Sequence, residues 1–156
     1  HMEGRLDSLK QPIKIDVSTD DVITPRAVEY GYKLMFDDRK IELQSYNIET
    51  LLAEKTQTIL SRGLANTRMR DFYDIYEIMH RRDFEEEIFR KAFAATCSKR
   101  GTVFEPEQRR IIQDEIVASE EMKERWQQFK NKNYYVEELE FADIMEAVST
   151  ILNMVV

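Results

Sequence analysis

A single cysteine, Cys97, is all the chain carries, so no internal disulfide can brace it. A lone thiol suits a reducing compartment, and its plain reading is a buried side chain. Histidine is nearly as scarce: His1 and His80 are too few for a histidine-rich zinc site. Only four glycines and three prolines interrupt the chain, which leaves room for long helices. There is no Gly-rich phosphate loop, no Gly-x-Ser-x-Gly turn, and no histidine near Cys97 to make it a nucleophile. No apolar run approaches about eighteen residues, so no membrane span is expected. Repeats and low-complexity tracts are also missing.

What is present is charge. Asp, Glu, Lys and Arg make up 34% of the residues and leave a net charge of −7, which argues against a broad nucleic-acid-binding surface. Local basic sites remain, with Arg62, Arg68 and Arg70 in one cluster and Arg81 and Arg82 in another. Hydrophobic residues, at 42% of 156, suffice for the core of one domain or one domain with a small appendage. The His-Met opening reads as the remnant of an expression tag. Residues 1–11 are therefore set aside as tag and leader.

Residues 12–46 read as extended. "IKIDVST" alternates Ile13, Ile15 and Val17 with polar residues, and "YGYKLMF" and "KIELQSY" follow as a hairpin around Asp37, Asp38 and Arg39. At Asn47 the period changes from two to that of a helix. The spacing predicts a helix ending at Gly63, a second from Asn66 or Thr67 to about 79, and a third over about 83–97. A charged helix is expected over about 107–130, with Pro106 in its first turn, and a last one over about 136–154. The fold class is α+β: a short N-terminal antiparallel β segment, then a bundle of about five helices. Residues 47–98 form its motif-bearing part and 99–156 a helical C-terminal region.

Lys55 and Arg62 are seven apart, nearly two helical turns, and so point the same way. Asp71 and Asp74, three apart on the next helix, also share a face. The short connection makes the two helices antiparallel neighbours, so the cations can face the carboxylates. Ordinary ion pairs account for all of this pattern and are its plainer reading. They could lie between the helices, or within one as Arg68 with Asp71 and Arg70 with Asp74. Such pairs are worth at most about 1 kcal/mol at a surface. Asp16, in "KID", is by itself a solvated strand residue.

Taken in order, "IKIDVSTDDVITP" and "LLAEKTQTILSRGLANTRMRDFYDIY" resemble the AbiEii/AbiGii nucleotidyltransferase toxins of type IV toxin–antitoxin systems. The resemblance covers residues 12–95 and is strongest over 49–76. It implies a DNA polymerase β-like sheet in which Mg²⁺ and a nucleoside triphosphate meet strand carboxylates. Carried over, Asp16 is the third acidic residue of that sheet and a metal ligand. Lys55 meets the nucleotide phosphates, and Arg62 is its basic partner. Asp71 is the aspartate of the last motif, and Asp74 its companion. The resemblance also implies a bacterial or archaeal cytoplasmic toxin of abortive infection. Its partners would be a cognate antitoxin and an RNA acceptor such as tRNA.

The family opens with a Gly-Ser turn and an Asp-x-Asp pair, and neither occurs here. The expectation is a truncated protein, inactive by itself, with no cofactor of its own. Mg²⁺ needs one or two carboxylates plus phosphate oxygens, which Asp16 alone does not supply. A sheet cut in mid-fold would leave open edges, and the fragment is expected to associate into a homodimer. The alternative is a non-catalytic helical module that binds a protein partner such as an antitoxin.

Overall fold

Alternation governs the first part of the chain, and it produces two separate hairpins. The computed structural model describes residues 2–15, 17, 19 and 21–155, and among these are four strands and six α-helices. β1 (Met2–Leu6) pairs antiparallel with β2 (Leu9–Ile13), Met2 lying opposite Ile13. Asp7 takes φ 50 in the two-residue turn between them, a conformation aspartate tolerates. β3 (Val28–Lys33) pairs antiparallel with β4 (Lys40–Ser45), Val28 opposite Ser45.

The strand expected from "IKIDVST", 13–19, is thus displaced: Lys14, Ile15, Val17 and Thr19 lie in no strand, and Asp16 and Ser18 lie outside the described residues. The strand ends at Ile13, and the supposed leader supplies most of the hairpin. A strand needs a ladder partner, and the turn at Asp7 gives one to Leu9–Ile13. The tag-like opening hid that turn.

In β3 and β4 the register gathers Val28, Tyr30, Tyr32, Ile41 and Leu43 on one face, with Glu29, Lys33, Lys40, Glu42 and Gln44 on the other. Every one of those apolar residues is 42–54% exposed. A half-apolar sheet face of this kind normally packs on a second layer. Within this chain it faces solvent.

At residue 47 a helix cap takes over. The Asn47 side chain accepts from Thr50 N (2.8 Å) and starts α1 (Ile48–Arg62). Its amide nitrogen donates to the carbonyls of Thr24 (2.6 Å) and Arg26 (3.3 Å), and the buried Thr50 hydroxyl accepts from Thr24 N (3.0 Å). These bonds tie the segment before β3 to the head of α1. Gly63 closes α1 at φ 46, where a side chain would be strained. One 3-10 turn, Gly63–Ala65, leads back into α2 (Met69–Arg81).

α3 (Glu86–Lys99) packs on α1, and α6 (Phe141–Met154) packs on α2. Between them come α4 (Pro106–Ala118) and α5 (Glu120–Lys132). The single helix expected over 107–130 is therefore two. Ser119 interrupts it and caps α5, its hydroxyl accepting from Met122 N. The last helix starts at Phe141 instead of 136, after a 3-10 turn at Tyr134–Val136.

The core gathers Leu52, Ile59, Phe72, Ile75, Phe89, Trp126, Ile144 and Ile151, all at most 1% exposed. On α6, Ala142 is exposed, while Ile144 and Ile151 are fully buried. The buried Trp126 indole donates to the carbonyl of Leu139 at 3.2 Å. Among the described residues no helix is long and apolar enough to cross a membrane.

Candidate functional site

α1 and α2 run as neighbours, and their facing sides carry the charge cluster. The Lys55 ammonium donates to Asp71 Oδ1 at 2.9 Å and to Asp74 Oδ2 at 2.7 Å. The three side chains are 13%, 15% and 25% exposed, so the cluster is largely withdrawn from water. Burial alone would depress the Lys55 pKa. The hydrogen bonds to Asp74 and Asp71, and the charges of both, outweigh that and hold it above its ordinary value. Lys55 is therefore a fixed, permanent cation at neutral pH. At the mouth of the cluster Arg70 Nε lies 3.6 Å from Asp74 Oδ1, the intrahelical pair anticipated from spacing.

Arg62 stands apart. It is exposed at the end of α1 and makes no ion pair with a described carboxylate. Two turns keep the azimuth but move a side chain about 10 Å along the axis, beyond ion-pair reach. The Arg68 side chain also makes no pair with Asp71; only the Arg68 carbonyl meets the Asp71 backbone N–H, at 2.9 Å. Asp16 lies outside the described residues.

Spacing gave no sign of a second charge group behind the first. Tyr46 donates its hydroxyl to Asp21 Oδ2 at 2.7 Å, and this bond, with burial and the nearby Glu54 charge, pushes its pKa up to about 12. Glu54, next to Lys55 in sequence but turned away from it, pairs loosely with Arg100 at 3.8 Å. Burial raises its pKa, Arg100 opposes that, and Asp21 adds to it. Asp21, Glu54 and Arg100 line a cavity of about 210 Å³ with Thr19, Thr96 and Lys99. These residues come from distant parts of the chain, so no local pattern announces them. Cys97 is buried, and burial pushes its thiol pKa up, which makes it a poor nucleophile.

Among the described residues no three His, Cys, Asp or Glu side chains gather closely enough to hold a metal ion. Between Asp71 and Asp74, the one close carboxylate pair at this site, the space is taken by the Lys55 ammonium. The described side chains therefore do not fit the Mg²⁺ that the family resemblance implies.

Comparison with known proteins bears out the family resemblance. The family model described as nucleotidyl transferase AbiEii toxin, type IV TA system, matches residues 1–152, beyond the 12–95 span that the motifs suggested. No curated protein and no solved structure matches the chain. With nearly its whole length matched and the Lys55, Asp71 and Asp74 side chains in direct contact, the chain belongs to the AbiEii nucleotidyl transferase toxin family of type IV toxin–antitoxin systems.

Proposed function

We propose that this chain supplies the Lys/Asp side of a nucleotidyltransferase centre. That centre would move a nucleoside monophosphate from a triphosphate to an RNA acceptor, with tRNA the leading candidate and a cognate antitoxin as the protein partner. One observation carries this: the Lys55 ammonium is locked between Asp71 and Asp74, at 2.9 and 2.7 Å, in a largely buried position. A protonated lysine held at one point is what a phosphate contact requires, and fixed charges cost no reorganisation when substrate arrives. Lys55 is the phosphate contact, Asp71 and Asp74 position it, and Arg62 is an outlying basic contact.

The cluster carries one negative charge in excess before Arg70 is counted, so it does not draw a triphosphate by itself. The principal metal-binding carboxylates of the reaction belong to the Asp-x-Asp motif that follows the family's Gly-Ser turn, and neither occurs in this sequence. On this reading the chain is the C-terminal part of a toxin and is inactive alone. On the same reading, the uncovered apolar face of β3 and β4 would receive a second layer, and the outer edges of the hairpin further strands. Exposed to water, that face is expected to drive self-association. Light scattering over a hundred-fold concentration range should show a rising mass, and a constant monomer mass contradicts the idea.

The transfer itself is tested with radiolabelled nucleoside triphosphates and RNA. A protein extended to carry the Gly-Ser and Asp-x-Asp motifs should label RNA, and this chain should not. Lys55→Ala and Asp71→Ala in the extended protein should each cut labelling by about 100-fold or more, the scale of one lost electrostatic contact in a dry site. Full labelling by either variant sinks the catalytic role. Labelling by no form at all leaves the second reading, a non-catalytic module that binds an antitoxin. The absence of a metal-holding cluster among the described residues is what favours that alternative.

A further inference from the structure

We propose that Tyr134, Tyr135, Arg70 and Lys132 form a landing surface for a single-stranded stretch of the RNA acceptor, beside the Lys55 cluster. This rests on the transferase reading above and says where its acceptor lies. Tyr134 is 89% exposed and Tyr135 39%. They sit on the 3-10 turn between α5 and α6, and Val136 in that turn is fully buried. Tyr135 is held on several sides. Its ring lies 5.2 Å from that of Tyr73 and 6.5 Å from that of Phe129, and its hydroxyl donates to Asn133 Oδ1 at 3.0 Å. Tyr134 is thus flanked by two anchored residues while its own ring stands in water, 5.8 Å from Tyr135 and nearly perpendicular to it. An aromatic face presented this way is a stacking platform for any base.

Arg70 joins that platform to the candidate catalytic cluster. Its guanidinium carbon lies 5.9 Å from the centre of the Tyr135 ring, and its Nη1 donates to the Tyr135 hydroxyl at 3.4 Å. The same side chain reaches Asp74 at 3.6 Å. A strand stacked at Tyr134 therefore has its next backbone positions close to Lys55.

Two grooves continue the path, and both are lined by Lys132. One, of about 580 Å³, is also lined by Lys130, Asn131, Tyr134 and Glu137. The other, of about 320 Å³, involves Thr67, Arg125 and Phe129. Lys130 and Arg125 are paired with Glu140 and Glu121, whereas neither Lys132 nor Arg68, next in sequence to the groove residue Thr67, makes an ion pair with a described carboxylate, so these two are available to phosphates. The linings are mostly ammonium, guanidinium, amide, hydroxyl and aromatic groups, with one carboxylate, Glu137, and one thioether, Met69. That suits a nucleic-acid strand better than a protein partner, which needs an apolar centre to its interface.

The test uses the chain itself and a fluorescein-labelled, unstructured RNA of about 12 nucleotides, within the range one such surface accommodates. Tyr134→Ala should weaken binding about ten-fold, as the loss of one stacked base predicts, and Tyr134→Trp should restore it. Lys132→Ala should reduce the slope of log affinity against log salt by about 0.7, one phosphate contact to a single strand. No RNA binding by the wild type, or an unchanged affinity in Tyr134→Ala, overturns the proposal. So does a Tyr134→Ala variant that loses purified antitoxin while keeping RNA, because the surface then belongs to the protein partner. The two readings fail separately. RNA labelling that depends on Lys55, combined with RNA affinity indifferent to Tyr134, removes the landing surface and leaves the transferase. Tyr134-dependent binding without labelling by any form does the reverse.

Discussion

Trp126→Ala is expected to lower the melting temperature by roughly 12 °C. Removing a buried Trp costs about 3–5 kcal/mol, and each kcal/mol is worth about 3 °C in a chain of this size. Trp126 is 1% exposed and is one of the largest fully buried side chains. Its ring packs 5.5 Å from Phe129, and its indole N–H satisfies the carbonyl of Leu139 in the turn leading to α6. The alanine variant opens a cavity and also strands that carbonyl. Trp126→Phe keeps most of the volume and loses only the donor, so it should cost about 1–2 kcal/mol. Circular dichroism melting curves of the three proteins decide the matter. A loss under about 3 °C in the alanine variant would mean that α5 contributes little to the stability of the fold.

The second large effect concerns the charge cluster. Lys55→Met leaves Asp71 and Asp74 facing each other with only Arg70 nearby, at 3.6 Å from Asp74. Breaking a fully buried ion pair costs about 3–5 kcal/mol. The side chains here retain 13–25% exposure, so the expected loss is about 2 kcal/mol after solvent screening. Replacing Lys55, Asp71 and Asp74 together by Met, Asn and Asn should recover most of it, because no carboxylate is then left without its cation.

The pH dependence follows from the raised pKa of Lys55. A raised lysine binds its proton more tightly when folded, so its contribution is complete below the ordinary value of 10.5 and is lost as pH climbs through the folded value. The gap in urea stability between wild type and Lys55→Met should therefore stay constant between about pH 7 and 10 and close only above that. A gap that closes between pH 7 and 9 would show that the ammonium does not hold the cluster together.

Lys55, Asp71 and Asp74 were legible because helical periodicity fixes which side chains share a face, and a short connection fixes how neighbouring helices run. Arg62 was the limit of that logic. Periodicity gives direction around the axis and says little about reach along it. The break at Ser119 was hard to see for a related reason, since good helix formers lie on both sides and only one capping residue marks the division. The α+β class and the hairpin at β3 and β4 could be read from alternation, whereas the β1–β2 hairpin depended on a turn within residues discounted as a leader. The contacts of Arg70 with Tyr135 and of Tyr46 with Asp21 join residues 65 and 25 positions apart, and only tertiary packing creates them.

Asn47 links the two parts of the molecule. One amide side chain begins α1 with its oxygen and grips two carbonyls of the preceding segment with its nitrogen. Lys55 rides the same rigid rod, about 12 Å further on. The hairpin and the lysine are therefore geared to one another. An antitoxin that seats against the strands would turn that gear, and retune the distant ammonium without ever touching it.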